Sequence, residues 1–235
     1  MADENRASAS GGWKASLTAG LVGIGIGVGL MLAFNGYFVR SYLLSHPEVL
    51  PEAMEVLRSR EMARAVGTNR PAIETPFHSA WAGAADGDVV LVEFFDYACS
   101  FCRAANADVA RLLREDNRLK VVWREYPVLG PDSEQAAIAS LAAARAGRFR
   151  RFYDRLFAGG RPTAPNLAAA NAAVGLPPAQ LTDEYRREIQ RNYELARSIG
   201  ASGTPVFVVG DQVFHGAVGY ETLRDAIRQA RAARS

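Results

Sequence analysis

The spacing of apolar positions changes along this chain from every residue to every third or fourth, most sharply around residue 99. Val89–Phe95 (VVLVEFF) is a β-branched and aromatic run interrupted only by Glu93, the pattern of a strand buried on both faces. After Cys99 apolar residues recur about one helical turn apart, at Ala105, Val109 and Leu112, which predicts a helix ending near Asp116-Asn117. Leu119–Tyr126 predicts a second central strand, stopped by Pro127 and a Gly130-Pro131 turn. Strand, helix and strand in succession make a βαβ unit. An edge strand is expected over Phe77–Trp81, ahead of an Asp86-Gly87 turn.

From about Ser133 to Ser198 the pattern is helical. Ser133–Ala146 is alanine-rich, with Asp132 as its expected cap. Phe149, Phe152, Tyr153, Leu156 and Phe157 form an aromatic face that reads as core, with a substrate groove as the alternative. Asn166–Val174 and Leu181–Ile199 predict two further helices. The sheet resumes with Pro205–Val209 and Gln212–Phe214, separated by the hairpin dipeptide Gly210-Asp211. Tyr220–Ala233 predicts a closing helix with Leu223, Ile227 and Ala230 on one face.

The N-terminal third has a different character. Leu17–Phe34 carries no charge and extends to about Phe38, close to the roughly 20 residues that cross a bilayer. A cleaved signal peptide is the competing reading, but Asn35 and Gly36 stand where its small-residue cleavage site should be. The expectation is a tail over 1–14 and a membrane anchor over 15–38. Arg6 and Lys14 ahead of the span favour, by a slight bias over Arg40 behind it, a cytoplasmic N-terminus and an exported body. A helical stalk over 39–72 follows. Ser45-His-Pro-Glu48 reads as a capping box, and Leu43, Leu50 and Leu57, with Met54, resemble a heptad seam. The stalk either packs on its own domain or oligomerises. Gly67–Pro76 reads as a linker into an exported domain over 73–235, with a helical insertion over about 131–198.

A net charge of +2 over 235 residues, with no basic run, excludes a nucleic-acid footprint. Cys99 and Cys102 are the only cysteines, too few for a disulfide scaffold or a zinc site, and the three histidines follow no metal spacing. No metal or other cofactor is expected. Cys99 instead falls where a strand hands over to a helix, beside unpaired backbone N–H groups and the positive end of the helix dipole. That setting favours the thiolate, the nucleophile of disulfide exchange. Cys102, one turn on, can close a short disulfide with it.

Cys-x-x-Cys after a strand and before a helix is the thioredoxin-like redox signature. FFDYACSFC, the WREYP strand end, a long helical stretch before Gly203-Thr204-Pro205, and HPEVLPEAMEVL together resemble the DsbA-like thiol–disulfide oxidoreductases of the thioredoxin superfamily, most of all the ScsC-type members. The resemblance covers about Phe77–Arg234 well and the stalk loosely. It implies an α/β thioredoxin fold with a helical insertion, Cys99 as nucleophile and Cys102 as resolving cysteine. It also implies that Thr204 and a cis Pro205 lie against the dithiol and hold substrate there, beside Ser100 and Phe101. Glu93 matches the family's buried acid, with proton exchange at Cys102 as its role; the alternative is a strand glutamate reaching water or Arg124. The dipeptide Ser100-Phe101 departs from the Pro-His of strongly oxidising members, so a less acidic Cys99 and a less oxidising pair are expected.

The implied function is a membrane-anchored periplasmic oxidoreductase, oxidase or isomerase, acting on exported proteins with cysteines and exchanging electrons with a membrane redox partner. Two alternatives stand beside it. One is a dedicated reductant for one client in cytochrome or copper-site maturation. The other is a non-enzymatic protein holding Cu(I) on two thiolates or acting as a chaperone.

Overall fold

The computed structural model describes Gly29, Met31, Phe34 and residues 36–234. The chain divides into two units, Met1–Val56 and Leu57–Ser235. Most of the expected 15–38 anchor lies outside the described residues; among the described residues no helix is long and apolar enough to cross a membrane. Residues 36–45 are helical. Ser45 ends that helix rather than capping the next, because its hydroxyl is satisfied within the turn it closes, donating to the Ser41 and Tyr42 carbonyls at 2.9 and 3.0 Å. Helix α1 (Val49–Glu74) opens after Glu48, and Pro51 falls in its first turn, where a missing N–H is harmless.

The expected linker over Gly67–Pro76 is helical as far as Glu74: α1 continues through Gly67 and Pro71. Tertiary contacts override the weak propensity of that stretch. Val66 and Ile73, two turns apart, are fully buried in the core. The Arg124 guanidinium then fastens the helix end. Its Nε donates to the Ile73 carbonyl at 2.8 Å, and Nη2 reaches the carbonyls of Ala72 and Thr75. These carbonyls belong to a helix C-terminus, which leaves such groups unpaired and favours a cation.

Five strands form one sheet in the order β1-β3-β2-β4-β5. They are β1 (Trp81–Gly83), β2 (Val89–Phe95), β3 (Leu119–Glu125), β4 (Val206–Val209) and β5 (Gln212–His215). Only β2 and β3 are parallel, and α2 (Ser100–Glu115) crosses between them. Helices α3 (Pro131–Arg145), α4 (Phe149–Gly159), α5 (Ala164–Ala173) and α6 (Asp183–Ser198) separate β3 from β4, and α7 (Tyr220–Ala232) follows β5. This is the thioredoxin fold with a helical insertion.

Two local expectations move. The edge strand starts at Trp81, not Phe77, because Phe77–Ala80 is a turn closed by the Ala80 N–H on the Phe77 carbonyl at 2.9 Å. Gly83 has a φ of +90°, and a Cβ there would meet the Leu119 carbonyl at 2.2 Å, so only glycine fits that strand end. Helix α3 is capped by Gly130 with Pro131 in its first turn, which leaves Asp132 inside the helix.

The pleat sorts the central strands into two faces. Leu91, Phe95, Leu119, Val121 and Trp123 face a core shared with α2, α3, α4 and α7. Val92, Phe94, Val122 and Tyr126 face the second core, closed by α1 and α6. The aromatic side chains of α4 are all buried in the first core, so that face is packing and not a groove.

Candidate active site

Cys99 is the N-cap of α2, with extended backbone (φ −77°, ψ 120°). The buried Asp96 shapes the turn that delivers it. The Asp96 carbonyl accepts the Cys99 N–H at 3.1 Å, and Oδ1 accepts the Ala98 N–H at 2.8 Å. Oδ2 accepts the N–H groups of Val128 and Leu129 at 2.9 and 3.0 Å, tying the turn to the loop after β3. The reach of Asp96 across to residues 128 and 129 has no signal in a single sequence.

The two sulfurs are electrostatically opposed. The Cys102 thiol donates to the Cys99 sulfur and is the largest reason that Cys99 is pulled down to about 5, with Thr204 and the N–H groups of Cys102 and Phe101 helping and burial opposing. Cys102 is fully buried. Its own thiol is pushed up, first by desolvation, then by the hydrogen bond it gives to Cys99 and by the Glu93 carboxylate. At neutral pH the outer sulfur is a thiolate and the inner one a thiol.

The Thr204–Pro205 peptide is cis, and the Thr204 carbonyl lies 3.3 Å from Cys99 Sγ, as acceptor for the thiol form. The β4–β5 hairpin backs this loop: the Gly216 N–H donates to the Pro205 carbonyl at 2.8 Å. Ser100 and Phe101 are exposed on the first turn of α2, Phe101 to 64%. Thr204 thus meets Cys99 on one side, and Ser100 and Phe101 follow it on the first turn of α2.

Glu93 lies on the same face of β2 as Leu91 and Phe95, fully buried. Its Oε2 accepts the indole N–H of its register partner Trp123 at 2.9 Å, and Oε1 has no partner. Desolvation raises its carboxyl to about 8; the Trp123 hydrogen bond opposes the rise, as does the nearby Tyr153 hydroxyl, which donates to Asn106 Oδ1, and the charge of Cys99 adds to it. Arg124 belongs to the opposite face, where Glu188 and Asn192 of α6 occupy it at 3.0 and 2.7 Å. Glu93 thus reaches neither water nor Arg124. Trp123, whose N–H is the one polar partner Oε2 has, carries no advance signal: in the sequence it reads only as a strand aromatic. The two sulfurs are the groups here of a kind that holds a soft metal ion, and among the described residues no cluster of three or more His, Cys, Asp or Glu gathers.

A family model for the DSBA-like thioredoxin domain matches residues 90–228, more than half of the chain. The chain belongs to the DsbA-like thioredoxin-domain family. A second model, the copper resistance protein ScsC N-terminal domain, matches residues 36–64, so the likeness extends into the stalk. A thioredoxin-like oxidoreductase from Silicibacter pomeroyi is 37% identical, covers 65% of this chain and 91% of its own, and superposes with a TM-score of 0.62. The catalytic domain of Proteus mirabilis ScsC is 27% identical, covers 72% of this chain and 98% of its own, with a TM-score of 0.66. Among curated proteins the chain is 29% identical over 160 residues to Na(+)/H(+) antiporter NhaA 3 of Salinispora tropica, a match over 63% of this chain and 24% of that protein. The chain thus spans about a quarter of the length of the first curated relatives it matches.

Proposed function

We propose that this DsbA-like protein is a periplasmic thiol–disulfide oxidoreductase acting on exported proteins with cysteines. The observation that carries this reading is the opposition of the two sulfurs, one held ionised at the mouth of α2 and the other held protonated beneath it. With the pair oxidised, a client thiolate attacks Cys99 Sγ; the Cys99–Cys102 bond breaks and Cys102 leaves with the electron pair. Its buried thiolate takes a proton, and Glu93, kept protonated at neutral pH by its burial, is the donor. A second client thiolate then attacks the client sulfur of the mixed disulfide and expels Cys99 as a stable thiolate. The client gains a disulfide, and the two electrons left on the dithiol pass to a membrane redox partner. In isomerisation the ionised Cys99 attacks a client disulfide first and is released without net electron transfer.

The Thr204-Pro205 loop holds the client segment, with Thr204 supplying the strand-like backbone hydrogen bonds and Pro205 packing beside it, and Ser100 and Phe101 flank it. Residues 15–38 anchor the protein in the inner membrane by a single pass, N-terminus in the cytoplasm. Leu50, Met54 and Leu57 are 50, 71 and 56% exposed along α1, which supports a stalk that pairs copies of the chain and turns several dithiols toward one client. Sedimentation with and without residues 39–70 tests that part, and an equal monomeric mass in both removes the argument for isomerisation.

The deciding experiment is the potential of the Cys99/Cys102 couple together with reactivation of scrambled ribonuclease. Oxidation or reshuffling of the client supports the proposal; a pair with no turnover contradicts it. One observation favours a second reading: the family model matching the stalk is named for copper resistance. Stoichiometric Cu(I) binding on the two sulfurs without turnover is the outcome that selects it.

A further inference from the structure

Glu93 is the buried group on which proton transfer rests, and a few neighbouring side chains set its proton affinity. Its carboxyl has one direct polar partner, the Trp123 indole N–H at 2.9 Å, while Oε1 is left without one. On the Trp123 ring lies a cation: the Arg150 guanidinium sits 5.1 Å from the Trp123 centroid and 5.7 Å from that of Tyr153. Arg150 is steadied there by Asp154, one turn along α4, whose Oδ2 accepts from Nε at 2.9 Å. The groups that bear on the Glu93 carboxyl are Cys99 and Cys102 of α2, Tyr97 of the turn, Trp123 of β3, and Tyr153 and Arg150 of α4. Phe207, its partner across on β4, is uncharged. Of these Arg150 alone is positive.

We infer that Trp123 and Arg150 are positioning residues for the proton on Glu93, the indole passing the influence of an outer cation to a carboxyl that no cation touches. A cation over the face of an indole is attracted by the ring and draws its electron density, which sharpens the N–H as a donor. The N–H favours the carboxylate over the acid, since only the carboxylate gains a charge-assisted bond. The arrangement lets a fully buried acid release its proton within reach of neutral pH without placing an ion pair under the dithiol, where removal of either partner would strand a charge. The inference rests on the dithiol reading, because Glu93 matters only if Cys102 exchanges a proton.

The test uses the full-length reduced protein. The infrared band of the protonated Glu93 carboxyl, identified by its loss in Glu93→Gln, is followed against pH in wild type, Trp123→Phe, Arg150→Met and Arg150→Lys, with the pH profile of Cys99 alkylation beside it. Trp123→Phe raises the Glu93 midpoint by about one to two units, the worth of a hydrogen bond to a charged group. Arg150→Met raises it by roughly half a unit, as for an exposed cation on a ring. Arg150→Lys keeps the charge and the wild-type midpoint. Arg150 is on the surface, so its variants remain informative if Trp123→Phe fails to fold. Unmoved midpoints, with or without a change in melting temperature, overturn the inference. An ordinary Cys99 profile in wild type is a different result and overturns the dithiol reading instead.

Discussion

The Cys99 thiol faces the Thr204 carbonyl oxygen at 3.3 Å, across the cis peptide bond to Pro205. That carbonyl can accept from a thiol but offers nothing to a thiolate. The charge is therefore held by donors: the Cys102 thiol first, then the side chain of Thr204 and the N–H groups at the start of α2. Cys99 is thus set between donors that stabilise its thiolate and the backbone edge at Thr204.

Removing the inner thiol isolates the first of these. Cys102→Ala raises the pH midpoint of Cys99 alkylation by about one to two units, because the largest donor to the thiolate is lost. The same variant accumulates mixed disulfides with clients, read as thiol-sensitive adducts on a non-reducing gel. A range of adducts fits a general catalyst, and a single adduct fits a dedicated reductant.

Phe101 stands where the strongly oxidising relatives have histidine. Phe101→His adds a cation beside the thiolate when protonated, so it lowers the alkylation midpoint and makes the couple more oxidising. In the natural chain the potential falls below the value of about −120 mV of DsbA itself. A glutathione redox equilibrium measures both, and a wild-type potential at or above DsbA's contradicts the assignment of Phe101.

Burial of Glu93 has a pH signature in stability. Its folded value near 8 lies above the ordinary 4.5, so between those two pH values the unfolded state ionises while the folded state stays protonated. Stability is lost as pH rises through that window and levels off above it. Glu93→Gln removes the penalty: its melting temperature exceeds that of wild type by about 5 °C or more at pH 8 and by little near pH 4.5. Parallel melting curves at every pH would count against a buried neutral acid.

Arg124 joins α1 and α6 to β3 through the carbonyls of Ile73, Ala72 and Thr75 and through Glu188 and Asn192. Arg124→Met leaves these acceptors buried without a partner and costs about 3–5 kcal/mol in urea unfolding. Native-state proteolysis should then cut first near residues 67–75, where the helix end is no longer fastened.

The sheet was legible because its central strands are uniform apolar runs bounded by Pro, Gly and Asp, and because Gly210-Asp211 marks a hairpin. The cysteine pair was legible by spacing alone. The helical path through Gly67 and Pro71 was not, since it depends on Arg124, more than fifty positions away, and on burial of Ile73. Ser45 misled because a serine that ends one helix and a serine that caps the next look alike before the chain is folded. Around the site the missing pieces were Asp96 and Trp123. One reaches the loop after β3 and the other is a register partner, and neither relation can be read without the pairing of β2 with β3.

The proposed chemistry depends first on Cys99 being ionised at neutral pH in the folded, reduced protein. Iodoacetamide alkylation of Cys99 as a function of pH measures it directly. A midpoint near pH 5, lost on unfolding in urea, is the predicted result; a midpoint of about 8.5, as for a free cysteine, would contradict it.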